Sequence, residues 1–262
     1  MKENKARVIA FYLPQYHPIP ENDKYWGKGF TEWTNVAKAK PLFRGHYQPH
    51  IPADLGFYDL RLPEVREAQA ELARDAGIEG FCYYHYWFGN GKMLLQKPFE
   101  EVLRLGKPDF PFCLCWANHD WTTKTWVKGS SMVNNTMIAQ QEYLGEQDDI
   151  KHFEYCLRAF KDHRYITIEG KPIFLIYDPL SFPNVKEFMN RWNFLAKKNN
   201  LKGIYFIGVT TGRQSSYKIV TNLGFDGVCH NRRWEAEAKA AGFRFVRRMQ
   251  SLLGWHLGIS LM

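Results

Sequence analysis

The sequence predicts an α/β fold, an incomplete (β/α)8 TIM-barrel-like arrangement with about six strands. Strand-like and helix-like patterns alternate along the chain, as expected for parallel strands joined by helical crossovers. The 262 residues suffice for one such barrel, which typically takes about 250 residues. Polar and aromatic residues follow the apolar runs, where barrels of this type hold their active sites.

The first predicted strand is Arg7–Leu13, and Pro14 ends it because proline lacks the N–H that a central strand needs. A long polar and aromatic segment follows, from Gln15 to Leu60. Residues 18–35 show neither helical nor alternating periodicity, so we expect a loop without regular structure there. Long loops of this kind are usually functional, which indicates the rim of an active site.

The later elements are predicted from periodicity, apolar runs and their end signals. A helix begins at Pro63 and ends before Gly77, and a strand follows over Ile78–Tyr84. The chain continues as helix Lys97–Leu105, strand Phe112–Trp116, helix Asp148–Asp162, extension Tyr165–Ile168, strand Pro172–Tyr177, helix Asn184–Lys198, strand Gly203–Val209 and strand Phe225–Cys229.

The composition favours anionic or carbohydrate partners over nucleic acid. A net charge of +8 favours a phosphoglycan, a sugar nucleotide or an anionic membrane face. Much of the basic excess lies near the C-terminus, where a solvated helix face is expected, and no nucleic-acid-binding module is recognisable. The aromatic content of 16% suits sugar binding, because aromatic rings stack on sugars as well as fill cores. The basic residues near the C-terminus are Arg232, Arg233, Arg244, Arg247 and Arg248.

The cysteine pattern indicates a reducing compartment. The five cysteines are an odd number and lie mostly in apolar runs, which fits buried free thiols. Cys113 and Cys115 would share one strand face, but no second Cys/His pair at zinc spacing accompanies them, so no metal site is predicted. No signal peptide or membrane span is recognisable, so we expect a cytoplasmic protein with peripheral membrane association at most.

Six segments, spread over roughly residues 7–230, match one known family. They are Phe11–His17, Gly29–Trp33, Gly45–His50, Phe81–Phe88, Gly91–Leu95 and Cys115–Asn118, with Trp121 and Trp126 after the last. These segments resemble the WbsX family, named as glycosyltransferases of surface-polysaccharide biosynthesis and similar to glycoside hydrolase family 99. The resemblance implies a (β/α)8 barrel that acts on glycans, here as a single domain over residues 1–262.

The resemblance also implies a late segment that this sequence does not show. Members of the family continue beyond the sixth strand with an Asn-Glu-Trp-Ala-Glu-Gly-like motif, whose glutamates correspond to the hydrolases' catalytic carboxylates. Glu235 and Glu237 have a different spacing and a helical context, so this role is not transferred to them. We therefore expect a barrel without the family's C-terminal segment, and an open sheet edge through which the chain associates with itself or with a partner.

The predicted site consists of polar and aromatic side chains at the strand ends. Glycosyl transfer and hydrolysis pass through oxocarbenium-like transition states stabilised by carboxylates, with a histidine or second carboxyl moving protons. The catalytic candidates are Glu32, Asp120 and His85, and the apolar neighbours of Glu32 are expected to raise its pKa. The predicted substrate-binding residues are Gln15, Tyr16, His17, Trp33, Tyr86, Trp87, Trp116, Asn118, His119, Trp121, Trp126 and Asp178.

These groups predict a saccharide site because they combine apolar faces with hydrogen-bonding groups, although any single tryptophan or histidine is also a candidate core residue. We expect the catalytic candidates to line one pocket with Gln15, His17, Trp116 and Asn118. No cofactor is implied. Two functions stay open: a WbsX-type enzyme that makes or trims bonds in a surface polysaccharide such as O-antigen or capsule, and a catalytically inactive, shortened barrel that binds glycan.

Overall fold

The computed structural model describes residues 6–123, 125–126, 133–134, 136–210 and 215–231. Predictions for the C-terminal tail, including those on Arg232 to Arg248 and on Glu235 and Glu237, lie outside these residues. The elements are β1 Ile9–Tyr12, α1 Pro20–Trp26, α2 Glu32–Lys38, α3 Pro63–Asp75, β2 Gly80–His85, α4 Lys97–Leu105, β3 Phe112–Trp116, β4 Trp121–Thr122, β5 Thr125–Trp126, β6 Val133–Asn134, β7 Met137–Ala139, α5 Glu146–Phe160, β8 Thr167–Ile168, β9 Lys171–Ile176, α6 Val185–Lys198, β10 Tyr205–Thr210, α7 Ser215–Asn222 and β11 Gly227–His230.

Six strands form one parallel sheet in the order β1, β2, β3, β9, β10, β11. The short β8 adds to β9 in the antiparallel sense. The sheet is curled into a half-barrel with helices against it, which confirms the predicted barrel-like class with about six strands. No helix in the described ranges is long and apolar enough to cross a membrane.

Alternate residues of each strand point to two faces of the sheet. We call the face covered by α5 and α6 the outer face, and the opposite, concave face the inner face. Aromatic rings pack closely on the outer face: Trp192 of α6 is fully buried, and its ring centroid lies 4.7 Å from Phe174 of β9 and 4.6 Å from Phe188. Gly208 of β10 lets α7 approach, because a Cβ atom there would lie 2.5 Å from Val220 Cγ1.

The prediction that residues 18–35 lack regular structure is wrong, because α1 and α2 occupy much of this segment. Both helices are short and depend on their ends rather than on periodicity. Pro20 opens α1, and the Thr31 hydroxyl accepts a hydrogen bond from the Trp33 amide at the start of α2. Between them, Trp26 stacks on Phe30 at 4.8 Å. A window that scores only apolar spacing misses helices of two turns.

The sequence also did not predict the excursion between β3 and α5 or the helix α7. The excursion contains two short antiparallel pairs, β4 with β7 and β5 with β6. The other predicted helices and strands are present, with ends shifted by at most two residues. Cys82, Cys113, Cys115 and Cys156 are buried free thiols, as expected from their apolar surroundings.

Candidate active site

A cavity of about 810 Å³ opens at the carboxyl ends of the strands, on the inner face. Tyr84 at the end of β2 and Tyr86 just beyond it line it, and Tyr177 lines it immediately after β9. Side chains that are distant in sequence meet here because parallel strands end at the same edge of a sheet. The cavity therefore lies where the fold class predicts an active site.

The segment after β1 forms another part of the cavity wall. Trp26 and Asn22 of α1 face it together with Glu32 and Asn35 of α2. Asn22 is 3% exposed, and within the described ranges its Oδ1 atom accepts no hydrogen bond. A buried acceptor without a partner is uncommon in proteins, and this one suits a ligand hydroxyl.

Glu32 is the first residue of α2, and the cap of that helix presents it to the cavity. Desolvation raises the pKa of its carboxyl, and a hydrogen bond from Asn35 opposes this rise. The expected direction of this pKa shift is confirmed. A carboxyl with a raised pKa holds a proton more readily near neutral pH, which is what proton transfer to a leaving oxygen requires.

Asp120 and His119 reach the cavity from the chain between β3 and β4. The Gln141 amide donates a hydrogen bond of 2.7 Å to Asp120 Oδ1, which orients that carboxylate. His119 Nδ1 lies 3.0 Å from the Asp120 carbonyl oxygen, so Nδ1 donates and Nε2 is left for another partner. Two carboxyls and an imidazole thus line the cavity.

Aromatic faces provide most of the apolar lining. Trp121 packs edge-on against Tyr86 with ring centroids 4.8 Å apart. Gln15 Nε2 donates to the Tyr86 hydroxyl at 2.9 Å, and burial raises the pKa of that hydroxyl, so it stays neutral. The structure brings six of the sequence-predicted residues to this cavity: Gln15, Glu32, Tyr86, His119, Asp120 and Trp121.

His85 and Trp116 lie on the outer face, so the prediction that they share the pocket of Asp120 is wrong. His85 Nε2 is 2.8 Å from His152 Nε2 on α5, and burial lowers the pKa of His85 to about 3. Trp116 is 3% exposed and donates its ring N–H to the Trp87 carbonyl. Strand alternation explains the error: His85 directly follows the cavity residue Tyr84 and points the other way.

Trp87 is also part of the outer core rather than the cavity wall. Its ring stacks on His152 at 4.7 Å and donates to Asp148 Oδ2 at 3.1 Å. His85, His152 and Cys156 place three buried potential metal-ligand atoms within 4.8 Å of one another. The 2.8 Å between the two imidazole nitrogens is a hydrogen-bond distance, which accounts for this cluster without an ion.

Asn118 and Asp178 join two strand ends and are not part of the cavity lining. Asn118 Nδ2 donates to the Asp178 carbonyl at 2.8 Å, and Asn118 Oδ1 accepts from the Asp178 amide at 2.7 Å. The Tyr143 hydroxyl donates to the Asn118 carbonyl at 3.0 Å and accepts from Nδ2 at 2.9 Å. This clamp between Asn118 and Asp178 holds their sequence neighbours, His119 and Tyr177, at the same edge of the sheet.

Tyr16, Trp33 and His17 also lie outside the cavity, and the position of a fourth predicted side chain, that of Trp126, is not described. Tyr16 and Trp33 pack together, with ring centroids 4.7 Å apart, and Trp33 donates to the Tyr58 carbonyl. His17 lies in a different, smaller cavity. Trp126 belongs to β5, and its side chain lies outside the described part of the chain.

Several cavity residues were not among the predicted site residues, notably Asn22, Trp26, Asn35 and Tyr84. Tyr84 was detectable, because it lies two positions before Tyr86 and must share its face in an extended strand. The α1 and α2 residues had no comparable signal, because only the tertiary fold places these helices over the strand ends.

Comparison with known proteins gives consistent relatives. The family described as Glycosyltransferase WbsX matches residues 8–253. Uncharacterized proteins WxcX of two Xanthomonas campestris pv. campestris strains, B100 and ATCC 33913, are 42% identical over 223 residues, or 85% of this chain. The chain spans 31% of the length of these relatives.

Two solved structures share the fold at 16% sequence identity. One is a GH99 endo-alpha-mannosidase from Bacteroides thetaiotaomicron in complex with bis-tris propane, with a TM-score of 0.53 over 85% of this chain and 57% of that chain. The other is described as a glycoside hydrolase-like protein, with a TM-score of 0.51 over 86% of this chain and 58% of that chain.

Proposed function

The chain belongs to the WbsX glycosyltransferase family, and we propose that it binds an oligosaccharide in the 810 Å³ cavity and makes or processes glycosidic bonds in a surface polysaccharide such as O-antigen or capsule. One observation carries this proposal. The cavity combines aromatic faces, two carboxyls and, within the described ranges, one buried acceptor without a partner, Asn22 Oδ1, at the carboxyl ends of parallel strands. Sugar sites need this combination because a pyranose has apolar C–H faces and polar edges.

Glu32 and Asp120 receive different roles in this proposal. Glu32, whose pKa is raised by desolvation, exchanges a proton with the glycosidic or acceptor oxygen. Asp120, fixed by the Gln141 amide, stabilises the positive charge that develops at the anomeric carbon. His119 Nε2 and Asn22 Oδ1 bind sugar hydroxyls, and Trp121 stacks against a ring face.

A second candidate function is glycan binding without turnover. The hydrogen bond from the Gln141 backbone amide to Asp120 favours this candidate. The bond gives the Asp120 carboxylate a structural role that is independent of catalysis. Both candidates use the same cavity and the same aromatic faces. They differ in whether Glu32 changes a rate or only an affinity.

The test begins with binding. An array of O-antigen and capsule oligosaccharides identifies a ligand, and titration calorimetry then compares the wild type with Trp121→Ala. Loss of a stacking face worth about 0.5–1.5 kcal/mol predicts a roughly 2- to 12-fold weaker affinity. Phe194→Ala is the matched control, because Phe194 is an aromatic residue 67% exposed on α6, outside the cavity. Equal affinities of both variants and the wild type would place the glycan elsewhere.

Turnover separates the two candidate functions. Glu32→Gln keeps the shape and removes the transferable proton, so an enzyme is expected to lose about 100-fold or more in rate while still binding glycan. Transfer and hydrolysis are followed by mass spectrometry of the identified oligosaccharide. If the wild type binds the glycan without turning it over, and Glu32→Gln binds with the same affinity, the glycan-binding candidate is favoured.

The extent of the domain, its location and its self-association are also part of the proposal. A single domain over residues 1–262, a cytoplasmic location with peripheral membrane association at most, and self-association through an open sheet edge are expectations from the sequence. In the described part of the chain, β1 and β11 each pair with one neighbour, and Phe11 and Leu13 at the β1 end are 43% and 45% exposed. Sedimentation velocity measures self-association directly.

A further inference from the structure

A second cavity, of about 340 Å³, is lined by residues of two motif segments, and these residues do not line the candidate active site. His17 comes from the first segment, and Met93, Leu94 and Leu95 come from the segment Gly91–Leu95. The first cavity lies beyond a packed cluster that contains Ile19, Leu94 and Leu95 together with Tyr86. The two cavities therefore have separate linings and can be tested separately.

His17 is the unusual group in this cavity. It is 1% exposed, and neither ring nitrogen makes a hydrogen bond of normal geometry within the described ranges. Burial lowers the pKa of His17, and the nearby Pro14 carbonyl only partly opposes this, so the ring is neutral with one N–H to donate. Buried polar groups normally have partners, and a donor without one in a cavity wall suits a bound acceptor.

Two basic side chains line the same cavity. Lys97 is exposed at its rim, and Arg61 gives Nε and Nη2 to Asp59. Within the described residues, Nη1 of Arg61 makes no hydrogen bond, so this atom can serve another acceptor. Glu21 is the acidic residue in the lining, and its exposed position lets it turn towards water.

The start of α4 adds backbone donors. This nine-residue helix begins at Lys97, and its N-cap residue Gln96 makes no capping hydrogen bond with its side chain. Both residues line the cavity. The first amides of a helix have no partner within it and lie at the positive end of its dipole, an arrangement that binds phosphate and similar anions. In α4 these are the amides of Lys97 and Phe99, because Pro98 between them has no N–H.

We propose that this second cavity binds an anion of the phosphate class, held by His17, Arg61, and the side chain and backbone amide of Lys97 at the start of α4. The anion is either free phosphate or a phosphate group on a larger substrate. The inference goes beyond the proposed function, because it needs no sugar in the first cavity and holds whether or not the chain turns over glycan.

Titration calorimetry of the full chain with inorganic phosphate, at constant ionic strength set by chloride, tests the inference. We expect saturable binding that Lys97→Gln weakens about five- to tenfold, as loss of one charge-assisted contact at an exposed site implies. Lys97 is exposed, so this variant is expected to fold. Lys107→Gln is the matched control: it removes the same charge just beyond the other end of α4, outside the cavity lining, and should leave the affinity unchanged.

Imidazole ¹H–¹⁵N spectra give a second readout that does not depend on a variant's stability. Phosphate is expected to shift one neutral histidine, assigned to His17 by its absence in His17→Gln. Glucose 1-phosphate in a parallel titration separates the sources: tighter binding than inorganic phosphate indicates a substrate-borne group, and equal binding indicates the free ion. Absence of saturable binding, or equal weakening by Lys97→Gln and Lys107→Gln, would overturn the proposal.

Discussion

The two faces of the sheet use the same kinds of residue for different purposes. On the outer face, His85 and Trp116 are buried under α5 and α6. Both rings contact His152 of α5, and Trp116 also contacts Phe188 of α6. On the inner face, Tyr84 and Tyr177 border an open cavity, and His119 and Trp121 extend it beyond the strand ends. A step of one residue along a strand therefore separates a stability residue from a candidate site residue.

The largest expected contrast is between two tryptophans. Trp116→Ala is expected to lower the free energy of unfolding by about 3–5 kcal/mol, because it empties a packed site on the outer face. Trp121→Ala removes a ring from the half-buried cavity wall, so a loss of about 1 kcal/mol or less is expected. Urea denaturation measures both. Similar losses for the two variants would remove the distinction between the faces.

The clamp between β3 and β9 lies at the boundary of the two faces. Asn118→Ala leaves the Asp178 amide and carbonyl without their partner and is expected to cost about 1–3 kcal/mol. Tyr143→Phe removes only a hydroxyl from the same clamp and should cost about 1 kcal/mol. Hydrogen exchange at residues 117–122 and 176–179 should increase more in Asn118→Ala. An unchanged exchange pattern would show that the backbone alone holds this edge.

The buried histidines of the outer face predict a pH dependence. The pKa of His85 is lowered to about 3 by burial, below its usual value of 6.5, so the unfolded chain binds the proton first as pH falls. Stability is thus retained above about pH 6.5 and lost below it, by about 1.4 kcal/mol per pH unit for this group. His85→Gln should reduce this slope between pH 6.5 and 5 in urea denaturation.

A histidine on the surface provides the comparison for that slope. His163→Gln also removes one imidazole, from a side chain that is 82% exposed. The slope should remain close to the wild-type value in this variant. If both variants reduced the slope equally, burial on the outer face would not be the cause.

The smallest expected effect concerns the inner face. The pKa of Glu32 is raised by desolvation, so its favourable contribution is present below about pH 4.5 and is lost as pH rises through its folded pKa. Glu32→Gln is therefore expected to leave stability at pH 7 unchanged or raise it by up to about 0.5 kcal/mol. Glu187→Gln, at an exposed position of α6, is the control. A clear loss in Glu32→Gln alone would assign Glu32 a structural role.

Local pattern by itself determined most of the architecture. Apolar runs, helical spacing and end signals such as Pro63 and Gly77 predicted the parallel strands and the crossover helices, because these signals act within a few residues. The polar residues after the strands likewise indicated where the cavity would be. Seven of the twelve predicted substrate-binding residues, and His85, nevertheless lie outside the cavity. Strand alternation could have assigned Tyr84 and His85 to opposite faces.

The tertiary structure alone decided which side chains meet. Asn22, Trp26 and Asn35 reach the cavity because α1 and α2 pack over the strand ends, and Asn118 turns away because Asp178, 60 residues later, binds its amide. Tertiary packing likewise brings His17 and the start of α4 together in the second cavity. Contacts of this range depend on how helices and strands pack, and local sequence patterns carry no information about that packing.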